Sequence, residues 1–326
     1  MGAIGDKKLI RFKVLPVGED DANAAREVIL KKSLGMGSMV QRLEEEFADY
    51  IGCKHAVAVG SCTNSLFLTL QNKNVQTVAI PSMMVPLVAN EIIHSNMTPY
   101  FTTDTEWVGH AYEMIGTDVI DSAHEVIPNK WDFDLYTVCY SFYPTKPIGG
   151  ADGGMICTND DSMAKWYKQA RSFGRDSGDT IVKNSWEYGI EFPGWRMYMN
   201  DVQAAIAYTQ LKRHPEINLR MTEIREKYNG IFGLHNTSNY LYRIEADSRD
   251  EFIKYMYRNG IECGVHFYPL HMMDAFRRYP GDDMTEVEIA YRRTVSLPFH
   301  IYLTDEEIRY ISDKALEWEQ HGMAYA

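Results

Sequence analysis

Residues 55–72, HAVAVGSCTNSLFLTLQN, pass from a short β-prone run straight into a helical one across a few small polar residues. A strand that stops at small residues and turns helical at once opens a β-α unit. The same texture recurs down the chain. VQTVAIP, TPYFTTD, TDVIDSA, LYTVCYSF and GGMICTN are short apolar or β-branched runs, mostly without polar alternation, as strands covered on both faces are. Helical stretches such as MVPLVANEIIHSN and DSMAKWYKQARSFG separate several of them. The pattern predicts an α/β protein with an open, mainly parallel sheet covered by helices. Two amphipathic helices precede it, EDDANAAREVILKK and SMVQRLEEEFADYIG, the second closed by Gly52.

From about Pro215 the texture changes to a long polar helix, a strand YLYRIEA, a helix RDEFIKYMYRNG, a strand IECGVHFY and a final helix DEEIRYISDKALEWEQ. The expected division is a large α/β domain over 1–215 and a small C-terminal α+β domain over 216–326.

Composition narrows the function. The 326 residues carry 33 Lys and Arg against 45 Asp and Glu, a formal net charge of -12 with no long basic run, which argues against nucleic-acid and anionic-membrane partners. Five widely spaced cysteines without a C-x-x-C pair read as reduced thiols and not as a zinc site. The stretch MGAIGDKKLIRFKVLP has no apolar signal core, Asp6 stands where a myristoylation signal wants Ser or Thr, and no window is long enough to span a membrane. The expectation is a cytoplasmic protein.

In open α/β sheets ligands bind beyond the carboxyl ends of the strands, so the residues after each strand are the informative ones. GSCTNS places free backbone N–H groups and hydroxyls at a helix start, a site for phosphate or carboxylate; capping by Ser61 or Thr63 is the plainer alternative. Asp121 ends the apolar run of TDVIDSAHE, with His124 three residues on. A carboxylate there needs a cationic or N–H partner, and a protonated pyridine nitrogen is one candidate. In SFYPTKPIGGADGG, Lys146 follows a strand ending at Ser141; an enclosed lysine loses its proton at modest cost and becomes an amine nucleophile. Arg196, in the turn of GWRMYMNDVQAAIAYTQL, is a candidate anion ligand. Taken singly, each has an ordinary structural explanation. Together they match what pyridoxal 5′-phosphate (PLP) requires: a lysine for the Schiff base, a carboxylate for the ring nitrogen, and donors for the phosphate.

With those segments in hand, the chain resembles the DegT/DnrJ/EryC1/StrS sugar aminotransferases of PLP fold type I, the aspartate-aminotransferase-like fold. The resemblance spans nearly the whole chain: LEEEFADYIGCKHAVAVGSCTNSL, VAIPSMMVPLVAN, DSAH, SFYPTKPIGGADGGMICTND, GWRMYMNDVQAAIAYTQL, GIECGVHFYPLH and SLPFHIYLTDEEI follow in the family's order. It implies that Lys146 forms the Schiff base and Asp121 meets the pyridinium. His124 would lie near the phenolic oxygen, and Cys62, Thr63 and Ser141 would hold the phosphate. It also implies a homodimer in which the partner subunit lends the turn bearing Arg196. The implied reaction is amination of a nucleotide-linked keto sugar, with L-glutamate as donor. His266 and His271 are read as substrate-side or packing residues, since no third metal ligand stands nearby.

The chain departs from the family at Cys62, where Gly is usual, at Val85, where an aromatic residue stacks on the cofactor ring, and at Arg196, often Asn. Between PYFTTD and DVIDSA only TEWVGHAYEMIGT intervenes, where several tens of residues are normal. That shortfall predicts one missing crossover helix, with either a trimmed sheet or a less enclosed site. Two competing readings are a PLP-binding regulatory or scaffold protein without turnover and a PLP-dependent sugar dehydratase. RSFGRD, residues 171–176, faintly resembles the dehydratases, whereas Lys146 stands where they have His.

Overall fold

The structure, a computed structural model, describes residues 9–32, 34–175 and 189–322. The first eight residues, and Asp176 at the end of RSFGRD, lie outside the described residues. Two helices come first, α1 (Glu19–Leu30) and α2 (Ser38–Ile51), followed by β1 (His55–Val59), α3 (Cys62–Leu70), β2 (Thr77–Pro81), α4 (Pro86–His94) and β3 (Thr98–Thr102). Next are β4 (Tyr112–Met114), β5 (Val119–Asp121), β6 (Thr137–Ser141), β7 (Gly154–Thr158) and α5 (Asp161–Ala170). The remainder comprises α6 (Asp201–Phe232), β8 (Tyr242–Glu245), α7 (Arg249–Arg258), α8 (Thr285–Arg293), β9 (Thr294–Leu297) and α9 (Asp305–Gly322).

The central sheet has the order β1-β7-β6-β5-β4. A parallel pair, β2 and β3, continues it, because Ala79 and Ile115 exchange backbone hydrogen bonds of 2.9 and 3.0 Å in antiparallel sense just beyond β4. β5 and β6 are parallel, while β7 runs against both its neighbours and β4 against β5. Five strands therefore share one direction and β7 and β4 oppose it. Every residue of β5, β6 and β7 is buried, which is why their sequences do not alternate.

The shortened segment agrees with one expectation and departs from another. No helix lies between β3 and β5, as its length predicts, but the sheet is not trimmed: β4 fills the position in reversed direction. The physical reason is length. A parallel connection needs a crossover of about a dozen residues or more, whereas an antiparallel one closes with a tight turn. Here four residues join β4 to β5, with Gly116 at φ +97°.

α2 ends at Gly52 in the left-handed region (φ 86°), and its first turn is tied to α6 by Asp201 Oδ1, which accepts the N–H groups of Gly37 and Val40 at 2.9 and 3.1 Å. α6 runs unbroken through Pro215, so the polar helix expected to begin there is the second half of a 32-residue helix. Its first half buries Ala204, Ala207 and Leu211 against Phe47 and Tyr140, and its second half buries Met221, Ile224 and Tyr228 in a separate core with Phe252, Leu297 and Ile308. The C-terminal pair β8 and β9 is antiparallel. The strand expected over IECGVHFY is reduced to two isolated bridges, Ile261 with Ile10 and Gly264 with Ser296, since two different partners share its ladder. Ile10 thereby joins the N-terminus to the C-terminal core.

Candidate active site

The carboxyl ends of β1, β5 and β6 open on one cavity of about 510 Å³. Ser61, Cys62, Thr63, Val85, Asp121, His124, Ser141, Lys146 and His266 all line it, together with Trp107, Tyr240 and Phe267.

At its β1 end, Ser61 caps α3 by accepting the Asn64 N–H at 3.2 Å, so capping and anion binding are not alternatives here. The N–H groups of Cys62 and Thr63 belong to the first helical turn, which has no intrahelical acceptor for them. β7 presses against this turn: a Cβ on Gly154 would lie 2.6 Å from the Ser61 carbonyl and 2.7 Å from the Cys62 nitrogen. The glycine leaves the room that a phosphate-holding turn needs. Burial pushes the Cys62 thiol up, so it sits there uncharged.

Asp121 is buried at the end of β5. Tyr112 donates its phenol to Asp121 Oδ2 at 2.8 Å, and the Ala123 N–H donates to Oδ1 at 3.0 Å. Burial pushes the carboxyl up, opposed by these two bonds and by Lys146. A buried carboxylate raised by desolvation gains most from a further cation, which is what a protonated ring nitrogen offers.

Lys146 closes a turn onto the Tyr143 carbonyl at 2.9 Å and holds its Nζ 4.8 Å from the centre of the Tyr240 ring. Lys13 lies 4.8 Å from the same ring and donates to the Tyr240 carbonyl at 3.2 Å; burial, then the neighbouring Lys146, lowers it to about 8. His124 is buried, stacked on Trp107 (centroids 5.2 Å apart) and against Tyr240 at 4.5 Å. Its Nδ1 accepts the Gly109 N–H at 3.2 Å, and burial, then the positive charge of Lys146, holds the ring neutral. Neutral with Nδ1 accepting, the ring carries its proton on Nε2 as a donor. His266 is likewise neutral, lowered to about 4 by burial, with Nδ1 at 2.9 Å from Ser296 Oγ and its ring stacked on Phe12.

A lysine, a buried carboxylate and an unblocked helix start in one cavity fit PLP. Residues 16–107 and 134–315 match the DegT/DnrJ/EryC1/StrS aminotransferase family. The chain belongs to this family. The spore coat polysaccharide biosynthesis protein SpsC of Bacillus subtilis is 28% identical over 359 residues, covering 90% of this chain and 92% of SpsC. Among solved structures, the aminotransferase TlmJ of Streptoalloteichus hindustanus superposes with a TM-score of 0.84 at 24% identity, covering 96% of this chain and 99% of TlmJ. PseC of Helicobacter pylori, an aminotransferase involved in pseudoaminic acid biosynthesis, gives 0.83 at 21%, covering 96% and 100%. The fold is that of the PLP fold type I aminotransferases, and PLP is the family's cofactor.

The family match leaves out 108–133, the interval holding Asp121 and His124. Their assignment therefore stands on the geometry above. Two expected residues are not in this chain's cavity. Arg196 is exposed and donates to its own neighbour Tyr198 Oη at 3.2 Å. His271, expected on the substrate side or in packing, lies outside the cavity, where Nδ1 meets Ser82 Oγ at 2.6 Å and Nε2 lies 3.6 Å from Glu288. Sequence reasoning missed Trp107, Tyr240 and Phe267 as cavity residues, and Lys13 as a second cation against the Tyr240 ring. Trp107 brings an aromatic ring to a cavity where this family member has Val85 at the usual stacking position. The signal available for it was the unusual tryptophan inside the shortened segment.

Proposed function

We propose that this aminotransferase aminates a keto sugar carried on a nucleotide, takes its amino group from L-glutamate, and works in the cytoplasm as a homodimer. The observation that carries the site assignment is the meeting of Lys146, Asp121 and the α3 start in one cavity. The sugar reading draws on SpsC and PseC, whose names place them in polysaccharide and pseudoaminic acid biosynthesis.

In this reading PLP supplies the carbonyl that accepts the amino group and a ring that takes up electron density. The N–H groups of Cys62 and Thr63, with the Ser141 hydroxyl, hold the phosphate against the helix start. Asp121 would keep the ring nitrogen protonated, and His124 would offer its Nε2 proton to the phenolic oxygen. Lys146, in a partly enclosed site beside the Tyr240 ring, is the amine that moves the proton. Arg196 reaches the neighbouring subunit's site, in keeping with its exposure on this chain. The five cysteines are unpaired, which suits a reducing compartment.

The test is spectroscopic. Purified protein loaded with PLP should be yellow, bleach on addition of L-glutamate, and regain colour when a nucleotide-linked keto sugar is added; Lys146→Ala should not form the yellow species. Persistent colour with every amino donor would sink the glutamate and turnover assignments. Bleaching without recovery by any nucleotide-linked keto sugar would sink the acceptor.

A further inference from the structure

We propose that Tyr112 is a positioning residue of this active site, its phenol holding Asp121 ionised and correctly turned toward the cofactor's ring nitrogen. The inference rests on the role given to Asp121 above.

Four observations support it. Tyr112 and Asp121 are direct partners in the antiparallel ladder between β4 and β5, so their side chains leave the same face of the sheet side by side. The phenol donates to Oδ2 at 2.8 Å while the Ala123 N–H occupies Oδ1 at 3.0 Å. With one donor on each oxygen, the carboxylate cannot rotate without breaking a bond. Tyr112 is itself buried, and Trp107 packs edge-on against it with centroids 4.7 Å apart, which fixes the donor as well as the acceptor. Burial, reinforced by the nearby Asp121 charge, pushes the phenol well above its ordinary value, so it keeps its proton and remains a donor.

The contact exists because the segment is short. Only the reversed direction of β4 and its four-residue turn set Tyr112 opposite Asp121. The hairpin lies within 108–133, the interval that the family match leaves out. The truncation thus brings a hydrogen-bond donor to the carboxylate most exposed to the cost of desolvation.

The experiment is a double-mutant cycle on PLP affinity, followed by quenching of tryptophan fluorescence as PLP is added to apoprotein. Tyr112→Phe should weaken PLP about tenfold, the scale of a lost hydrogen bond to a charged group. In the Asp121→Asn background the same change should cost less than twofold, because no ionised carboxylate remains to be held. The absorption band of bound PLP should shift in Tyr112→Phe in the same direction as in Asp121→Asn. Equal losses in both backgrounds, or no loss in the wild-type background, would overturn the proposal and leave Tyr112 a packing residue. The Asp121→Asn arm alone tests the underlying reading: unchanged PLP affinity and spectrum there would refute Asp121's role independently. Should Tyr112→Phe not accumulate as folded protein, a fluorinated tyrosine at 112, which keeps the ring and strengthens the donor, should tighten PLP binding. Unchanged or weaker binding of that protein would overturn the proposal equally.

Discussion

Gly154→Ala should separate cofactor binding from folding. The added Cβ would stand 2.6 Å from the carbonyl carbon and oxygen of Ser61 and 2.7 Å from the Cys62 nitrogen, where ordinary contacts begin at 3.4 Å. All three are backbone atoms, so no side-chain rotation relieves the clash, and either β7 or the start of α3 must give by most of an ångström. β7 is clamped: Gly154 is paired with Val59 on one side and Ser141 on the other. The α3 start therefore moves, carrying the N–H groups of Cys62 and Thr63 away from the place proposed for the phosphate. Overpacking of this kind costs about 1–3 kcal/mol of stability. Losing one charge-assisted bond to phosphate costs a further ~1.5–3 kcal/mol in binding, tenfold or more in PLP affinity. PLP titration and thermal melting of the same preparations read the two effects apart. Gly230→Ala is the control, since nothing lies within 4 Å of its added Cβ. A folded Gly154→Ala protein that binds PLP within twofold of the wild type would refute the reasoning.

Two further outcomes follow from buried charge. Arg171 donates to Glu44 and to the Ala58 carbonyl, and Glu44 also accepts the Ala58 N–H at 2.8 Å, all out of water. Arg171→Met strands the carboxylate and should cost about 3–5 kcal/mol in urea unfolding; adding Glu44→Gln should recover part of that loss. His214 is buried, has its Nδ1 2.8 Å from the Tyr50 hydroxyl, and is lowered to about 4 by burial. Between the free imidazole value of ~6.5 and 4 the unfolded chain binds a proton that the folded chain refuses, so stability falls as pH falls. His214→Leu should flatten the decline in unfolding free energy over that window by up to ~1.4 kcal/mol per pH unit at the midpoint, read from urea unfolding across the pH range. An unchanged slope would show that His214 is not the group titrating.

The strand ends were readable because their chemistry is local. Asp121, Ser141 and the GSCTNS turn each follow an apolar run whose burial is visible in its lack of alternation, and a sheet sends every such end to one edge. Lys146 was readable for the same reason, from its place after β6. What sequence reasoning missed depends on contacts between distant segments. Lys13 meets Tyr240 across 227 positions, and Trp107 reaches the cavity through its stacking on His124. No local pattern names the partner of either residue, although the tryptophan in the shortened segment is itself visible in the sequence. The strand expected over IECGVHFY failed similarly, because β-branched composition does not say whether one partner or two will share the ladder.

The shortened segment shows how length and direction trade against each other. Counting its residues led to the expectation of a missing crossover helix and a trimmed sheet or a less enclosed site. The sheet's own energetics oppose trimming: leaving the β5 and β2 edges unpaired would strand backbone groups that are satisfied by β4 and by the Ala79–Ile115 exchange. With too few residues for a crossover, reversal is the one way to fill the position, and reversal changes which side chain faces Asp121. A deletion that looked like damage to the site therefore decides its hydrogen-bond network, with Tyr112 on the carboxylate and Trp107 against both Tyr112 and His124.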